Sequence, residues 1–165
     1  MLKTTDNFLK IIEQHKGIIY KIVNAYCKNE EDRKDIAQEI ILQLWKSFGN
    51  YNAEIKFTTW MYRIALNVAI SFYRKDSVRK AAKEYFALNI FQEQTIDFAF
   101  QQDEKIKWLY QFINELPAFN KALLLLYLDQ KSHKEIAEIM GITETNVATK
   151  ISRIKQQLRE KFSNI

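Results

Sequence analysis

Thr145, Asn146, Thr149, Lys150, Ser152, Arg153 and Lys155 crowd hydroxyl, amide and cationic groups onto one short stretch of chain. Groups of these types bond to phosphates and base edges when a helix enters a DNA major groove. The apolar residues among them, Val147, Ile151, Ile154 and Leu158, recur at helical spacing, so the polar set takes the opposite face. A second helix must brace this one. Ser132 and Glu135 have the spacing of a capping box, which predicts a helix from Lys134 or just before. Ile136, Ala137, Ile139 and Met140 give that helix an apolar stripe. Gly141 supplies a tight turn, Ile142 plugs the corner and Thr143 can cap the next helix. Residues 132–158 therefore read as a helix-turn-helix. A generic helical hairpin with a solvated face would show the same cap, turn and stripe.

Other candidate chemistry lies upstream. Asp35, Gln38, Glu39 and Leu42 fall on one helical face, separate from the stripe of Ile36, Ile40 and Leu44. Acids and an amide around a leucine suit a protein partner with basic residues, and equally a solvated face. The loop from Gly49 to Glu54 holds Asn50, Tyr51 and Asn52, amides and a ring that suit an unstacked base. Tyr62, Arg63, Asn67, Ser71, Arg74 and Lys75 follow on the next helix, suited to a single strand and its phosphates, with Arg79 and Lys80 beyond. Trp60 and Phe57 suit either core packing or stacking, and Trp60 aligns with the apolar stripe; Trp45 reads as core. Asp35 and Glu39 lack the clustered ligands a metal nuclease needs, the histidines are His15 and His133, and no glycine-rich phosphate loop occurs. No enzyme activity, cofactor or metal is expected.

These residues must be positioned by helices. Glycine and proline number 3 and 1, too few for hairpin punctuation, so the chain is expected to be all-α. At 47% hydrophobic residues over 165 positions it can build one or two real cores. The first helix is expected from Asp6 to about Tyr26, the second from about Glu31 to Phe48 with Ile36, Ile40, Leu44 and Phe48 as its stripe. The third starts near Thr58 with Trp60, Ile64, Val68 and Phe72 as its stripe. Trp108, Leu109 and Phe112 are expected to form the apolar face that opens a second module, Pro117 stands at a helix start, and 122–128 (ALLLLYL) reads as a buried helix. The expected division is a first domain over 1–86, an acidic linker over 87–102 and a second domain over 103–165. Between Lys83 and Lys105 the acids Glu84, Glu93, Asp97, Asp103 and Glu104 outnumber the two lysines, inside a chain of net charge +5. A solvated surface stretch would look the same. The basic balance weakly favours an anionic partner. Cys27, the sole cysteine, reads as a buried structural thiol. No apolar run approaches the roughly 20 residues of a membrane span, and no signal-peptide core opens the chain. A cytoplasmic or equivalent reducing location is expected.

Asp35-Ile36-Ala37-Gln38-Glu39 with Trp45 resembles region 2.2 of the bacterial sigma factors, and Phe57-Thr58-Thr59-Trp60-Met61-Tyr62-Arg63-Ile64-Ala65-Leu66-Asn67 resembles their regions 2.3 to 2.4. Glu115-Leu116-Pro117, Ser132, Glu135-Ile136-Ala137 and Gly141-Ile142 resemble region 4. Both modules in this order, with a short connector, resemble the extracytoplasmic-function (ECF) class. The resemblance implies a promoter-specificity subunit of RNA polymerase. It implies polymerase contact, at the clamp helices, for Asp35, Gln38, Glu39 and Leu42. It implies −10 contact and melting for Asn50, Tyr51, Asn52, Tyr62, Arg63, Asn67, Ser71, Arg74 and Lys75. For Thr145, Asn146, Thr149, Lys150, Arg153 and Lys155 it implies −35 contact, with the polymerase flap as a further surface. Partners so implied are core RNA polymerase, promoter DNA and an anti-sigma factor, with no membrane insertion. The acidic linker would thread the polymerase's basic channels. Ser71, Asn120 and Ala148 depart from the common pattern. Ala148 stands where many members carry a cation, which leaves the −35 sequence and the strength of that contact open. A helix-turn-helix regulator that binds duplex DNA without polymerase would share residues 132–158, but leaves the upstream segments unexplained.

Overall fold

The computed structural model describes residues 5–86 and 104–163, with side chains described over 5–76 and 104–163. Among these residues the chain forms helices and no strands: α1 (Thr5–Tyr26), α2 (Glu30–Phe48), α3 (Phe57–Phe86), α4 (Glu104–Glu115), α5 (Ala118–Leu128), α6 (His133–Met140) and α7 (Glu144–Ser163). The stretch expected as an acidic linker, 87–102, lies outside the described residues, as do the side chains of Arg79 and Lys80.

α1, α2 and α3 pack on one another around Phe8, Ile22, Ile40, Leu44, Met61 and Ala65. The break between α1 and α2 is made by Asn29, whose side chain accepts from the Asp32 amide at 2.8 Å, with Glu30, Glu31 and Asp32 complementing the helix dipole in the first turn. The second module packs α5, α6 and α7 around Leu123, Leu126, Ile136, Val147 and Ile154, and α4 adds Phe112. Pro117 lies just before α5 at its N-cap, where its lack of an N–H costs nothing. Cys27 is buried and free; burial first, then Asp32, pushes its thiol up to about 11.

Four expectations need correction. The buried stripe of α3 is Met61, Ala65 and Ala69 with Leu66 and Ile70, whereas Trp60, Ile64, Val68 and Phe72 are half-buried at its margin. Apolar residues surround most of this helix, so periodicity does not single out a face, and the small Ala65 and Ala69 let neighbouring helices approach closely. Trp45 is 41% exposed, standing edge-on to Phe8 with ring centres 5.0 Å apart. Trp108 is exposed while Phe112, four residues on, takes the core position. Leu128, at the end of α5, is exposed where the helix stops at Asp129.

The two modules touch. α3 packs against α5 and α6. The Tyr26 O–H donates to the carbonyl of Ala118 at 2.6 Å, and Lys121 Nζ donates to the carbonyl of Ala25 at 3.2 Å. Lys121 is only 2% exposed; it sits 5.4 Å from the Tyr26 ring centre and 5.0 Å from that of Tyr73. Burial, with Lys28 nearby, lowers its pKa, and the two aromatic faces offset part of that cost.

Candidate nucleic-acid and protein interfaces

The helix-turn-helix forms as its sequence dictates. The Ser132 hydroxyl accepts from the Glu135 amide at 3.1 Å and the Glu135 carboxylate accepts from the Ser132 amide at 2.9 Å, closing the capping box. That backbone donor, together with Lys131 and Lys56, holds the Glu135 carboxyl below its ordinary range. Gly141 adopts φ +68°, and the Ala137 carbonyl accepts from the amides of both Gly141 (2.9 Å) and Ile142 (3.2 Å). Thr143 caps α7, its hydroxyl accepting from the Asn146 amide at 3.2 Å.

α7 buries Val147, Ile151 and Ile154 and leaves Thr145, Asn146, Thr149, Ser152 and Arg153 exposed. The two candidate lysines are placed differently. Lys150 is half-buried, 5.7 Å from the ring centre of Phe119. Lys155 donates to the Tyr127 hydroxyl at 2.6 Å and lies over its ring. Both ammonium groups thus lie near aromatic rings of α5, Lys155 much more closely than Lys150.

On α2, Asp35, Gln38, Glu39 and Leu42 are all exposed, with Glu39 accepting from Gln43 at 2.7 Å. Exposed Trp45 lies three residues beyond Leu42, one turn along the helix. Sequence reasoning assigned it to the core; its spacing from Leu42 was the available signal.

The −10 candidates divide. Asn50 and Asn52 are exposed, and Asn52 accepts from the Glu54 amide at 3.2 Å, shaping a loop in which Ala53 takes φ +62°. Tyr51 is held in an aromatic cluster, 5.5 Å from Phe57 and 5.1 Å from Trp60 between ring centres, its O–H donating to Ile55 at 2.8 Å. Asn67, Ser71, Arg74 and Lys75 are exposed along α3. Tyr62 and Arg63 both bond to the second module, Tyr62 buried and Arg63 half-buried. Tyr62 is 4% exposed and its O–H donates to Asp129 at 2.6 Å; Arg63 Nε donates to the Glu138 carbonyl at 2.6 Å. Burial, then this bond to Asp129, raises the Tyr62 pKa. Burial opposes ionisation of Asp129, but the Lys21 ammonium and the Tyr62 O–H outweigh it and hold the carboxyl below its ordinary range.

The chain matches the sigma-70 region 2 family over residues 11–79 and the sigma-70 region 4 family over residues 106–158. It belongs to the sigma-70 family, in the ECF class. It is 28% identical to the ECF RNA polymerase sigma factor SigW of Bacillus subtilis, over 97% of this chain and 91% of that protein. With SigM of the same organism identity is 24%, over 93% and 94%. In fold it is similar to CnrH, solved with the cytosolic domain of CnrY, at a TM-score of 0.70 and 16% identity over 98% of this chain and 91% of that one. Similarity to the sigma factor RpoE of Bartonella quintana, solved with the anti-sigma factor NepR, gives a TM-score of 0.71 at 15% identity, over 96% and 98%. As a sigma factor the chain is not an enzyme. Among the described residues no helix is long and apolar enough to cross a membrane.

Proposed function

We propose that this chain is an alternative sigma factor that binds core RNA polymerase, directs it to promoters, reads the −35 element through α7 and helps melt the −10 element with α3 and the preceding loop. The observation that carries the reading is the occurrence, in order on one chain, of matches to sigma-70 region 2 and region 4. On this reading residues 1–86 form the polymerase-binding and melting module, 103–165 the −35 module and 87–102 the connector, and the protein works in the cytoplasm. The face of Asp35, Gln38, Glu39 and Leu42, with Trp45 added, meets the polymerase clamp helices: carboxylates steer the encounter and the leucine and indole supply apolar contact. Thr145, Asn146, Thr149 and Arg153 present donors and acceptors to the groove without rearrangement, and Lys150 and Lys155 join them by swinging off their rings. An anti-sigma factor is among the proposed partners, on the fold shared with the RpoE that was solved with NepR.

The test is co-elution with purified bacterial core polymerase, followed by transcription from a promoter library. Leu42→Ala with Trp45→Ala is expected to weaken core binding by roughly tenfold or more, the range of a central apolar contact. Absence of co-elution by the wild type overturns the reading. Tight binding of duplex DNA without polymerase would favour an ordinary helix-turn-helix regulator.

A further inference from the structure

His15 belongs to none of the motifs read from the sequence, yet its ring reaches the aromatic cluster around the loop before α3. On α1 it falls three residues after Ile12 and four before Ile19, both buried, so it lies on the inward edge of that helix and is itself half-buried. Its imidazole packs on Phe57, with ring centres 5.5 Å apart and planes inclined by 36°. Phe57 in turn meets Trp60 at 5.2 Å and stands edge-on to Tyr51 at 5.5 Å, and Tyr51 meets Trp60 at 5.1 Å. Tyr51, Phe57 and Trp60 are all half-buried, so each keeps part of its surface open. The Tyr51 O–H donates to the Ile55 carbonyl at 2.8 Å, across the loop. Four rings thus tie α1 to the loop and the loop to α3.

We propose that His15 is a positioning residue for the −10 loop: by holding Phe57 it fixes the Tyr51 and Trp60 rings where an unstacked promoter base meets them. The base comes from the sigma-factor reading, on which this role rests; what is added is a residue of α1 that acts on the capture step. The physical reason is preorganisation. A base that stacks on a ring free to rotate must first order that ring, and the cost falls when neighbours already hold it. Tyr51 is held at its hydroxyl by Ile55 and at its ring by Phe57 and Trp60. Phe57 is the first residue of α3, with no preceding helical turn beside it, and His15 supplies the missing neighbour from α1. The same loop exposes the amides of Asn50 and Asn52, donors and acceptors for the edge of a captured base.

The test compares wild type, His15→Ala and His15→Phe. Alanine removes the ring and favours a helix, so a loss cannot come from the propensity of α1; phenylalanine keeps a ring without the nitrogens. Loop order is read in the free chain by hydrogen exchange of the Asn50 and Tyr51 amides, which donate to the Ser47 and Phe48 carbonyls at 3.0 and 3.3 Å. Base capture is read with the holoenzyme reconstituted from purified core, as affinity for a single-stranded −10 oligonucleotide from a promoter recovered with it. His15→Ala is expected to speed exchange of these amides and to weaken strand binding, each by about two- to tenfold, the scale of one aromatic pair. Exchange in α6 and affinity for a −35 duplex should stay within about twofold of wild type, since both lie away from the cluster. His15→Phe should restore loop exchange and strand affinity together. The proposal is overturned if His15→Ala leaves loop exchange unchanged, if exchange rises while strand affinity does not fall, or if phenylalanine serves no better than alanine. Failure of the wild type to co-elute with core removes the sigma-factor reading and the base with it, while the exchange comparison still decides whether His15 braces the loop. Co-elution with unchanged strand affinity in His15→Ala removes only the role of His15.

Discussion

Gly141 offers a clean perturbation of the turn that sets α7 against α6. Its φ is +68°, and a Cβ built there would meet nothing within 4 Å. The cost of Gly141→Ala is therefore conformational. An L-residue in the left-handed region costs about 1–2 kcal/mol. Alanine also narrows the unfolded ensemble, which offsets about 0.4–1 kcal/mol. The expected net loss is about 1 kcal/mol, or a fall in Tm of about 2–4 °C for a chain of this size. Gly141→Asn should lose about half as much, because a short amide tolerates this backbone region. Urea unfolding of the full chain measures both. Duplex binding, on a promoter recovered with polymerase, should be unchanged below the transition, since neither substitution touches the outward face of α7. Equal losses for Ala and Asn would refute the conformational origin. A loss above about 3 kcal/mol would mean that the Cβ meets an obstacle the structure does not have.

Ser132→Ala should cost about 1 kcal/mol of stability by urea unfolding, because the Glu135 amide loses its acceptor; Ser132→Thr should retain most of it. Cys27 makes stability fall with alkali: the thiolate is disfavoured only when folded, so its contribution is intact below 9.0 and declines as pH rises toward about 11, by up to about 3 kcal/mol. Cys27→Ala should flatten that slope between pH 9 and 11 in pH-resolved urea melts, and an unchanged slope would exclude the thiol as its source. Ala148→Lys should tighten holoenzyme binding to a −35-containing duplex and steepen its salt dependence by about 0.9 in the log–log slope, as one added phosphate contact does; unchanged affinity and slope would remove position 148 from the DNA face.

Local chemistry made much of the fold legible. Ser132 with Glu135, Gly141 and Thr143 each satisfy or redirect backbone groups within a few residues, so the helix-turn-helix could be read directly and forms with the expected bonds. Ile36, Ile40, Leu44 and Phe48 repeat cleanly because α2 is mostly polar elsewhere, Leu42 and Trp45 excepted, and all four are buried. α3 was misread for the opposite reason. With Trp60, Met61, Ile64, Ala65, Val68, Ala69 and Phe72 spread around it, what packs on each side decides the buried stripe, and the alanines won because they permit close approach.

The candidate sites were legible only where one helix carries them whole. Asp35, Gln38, Glu39 and Leu42 are exposed together because their neighbours at 36, 40 and 44 fill the core. Tyr62 and Arg63 could not be placed this way, since their environment comes from Asp129 and Glu138, remote in sequence. Lys21 and Asp129 are 108 positions apart, and neither belongs to a motif. The outward cations of α7 show the same limit within one module: Lys150 and Lys155 sit on the polar face by spacing, yet Phe119 and Tyr127 of α5 draw them inward. Spacing assigns a face to each side chain, whereas a cation with a long stem goes where an aromatic face or an acid from another helix rewards it. Residues that bind nucleic acid carry such stems and charges, so in a two-module chain they are also the residues most readily occupied by the chain itself.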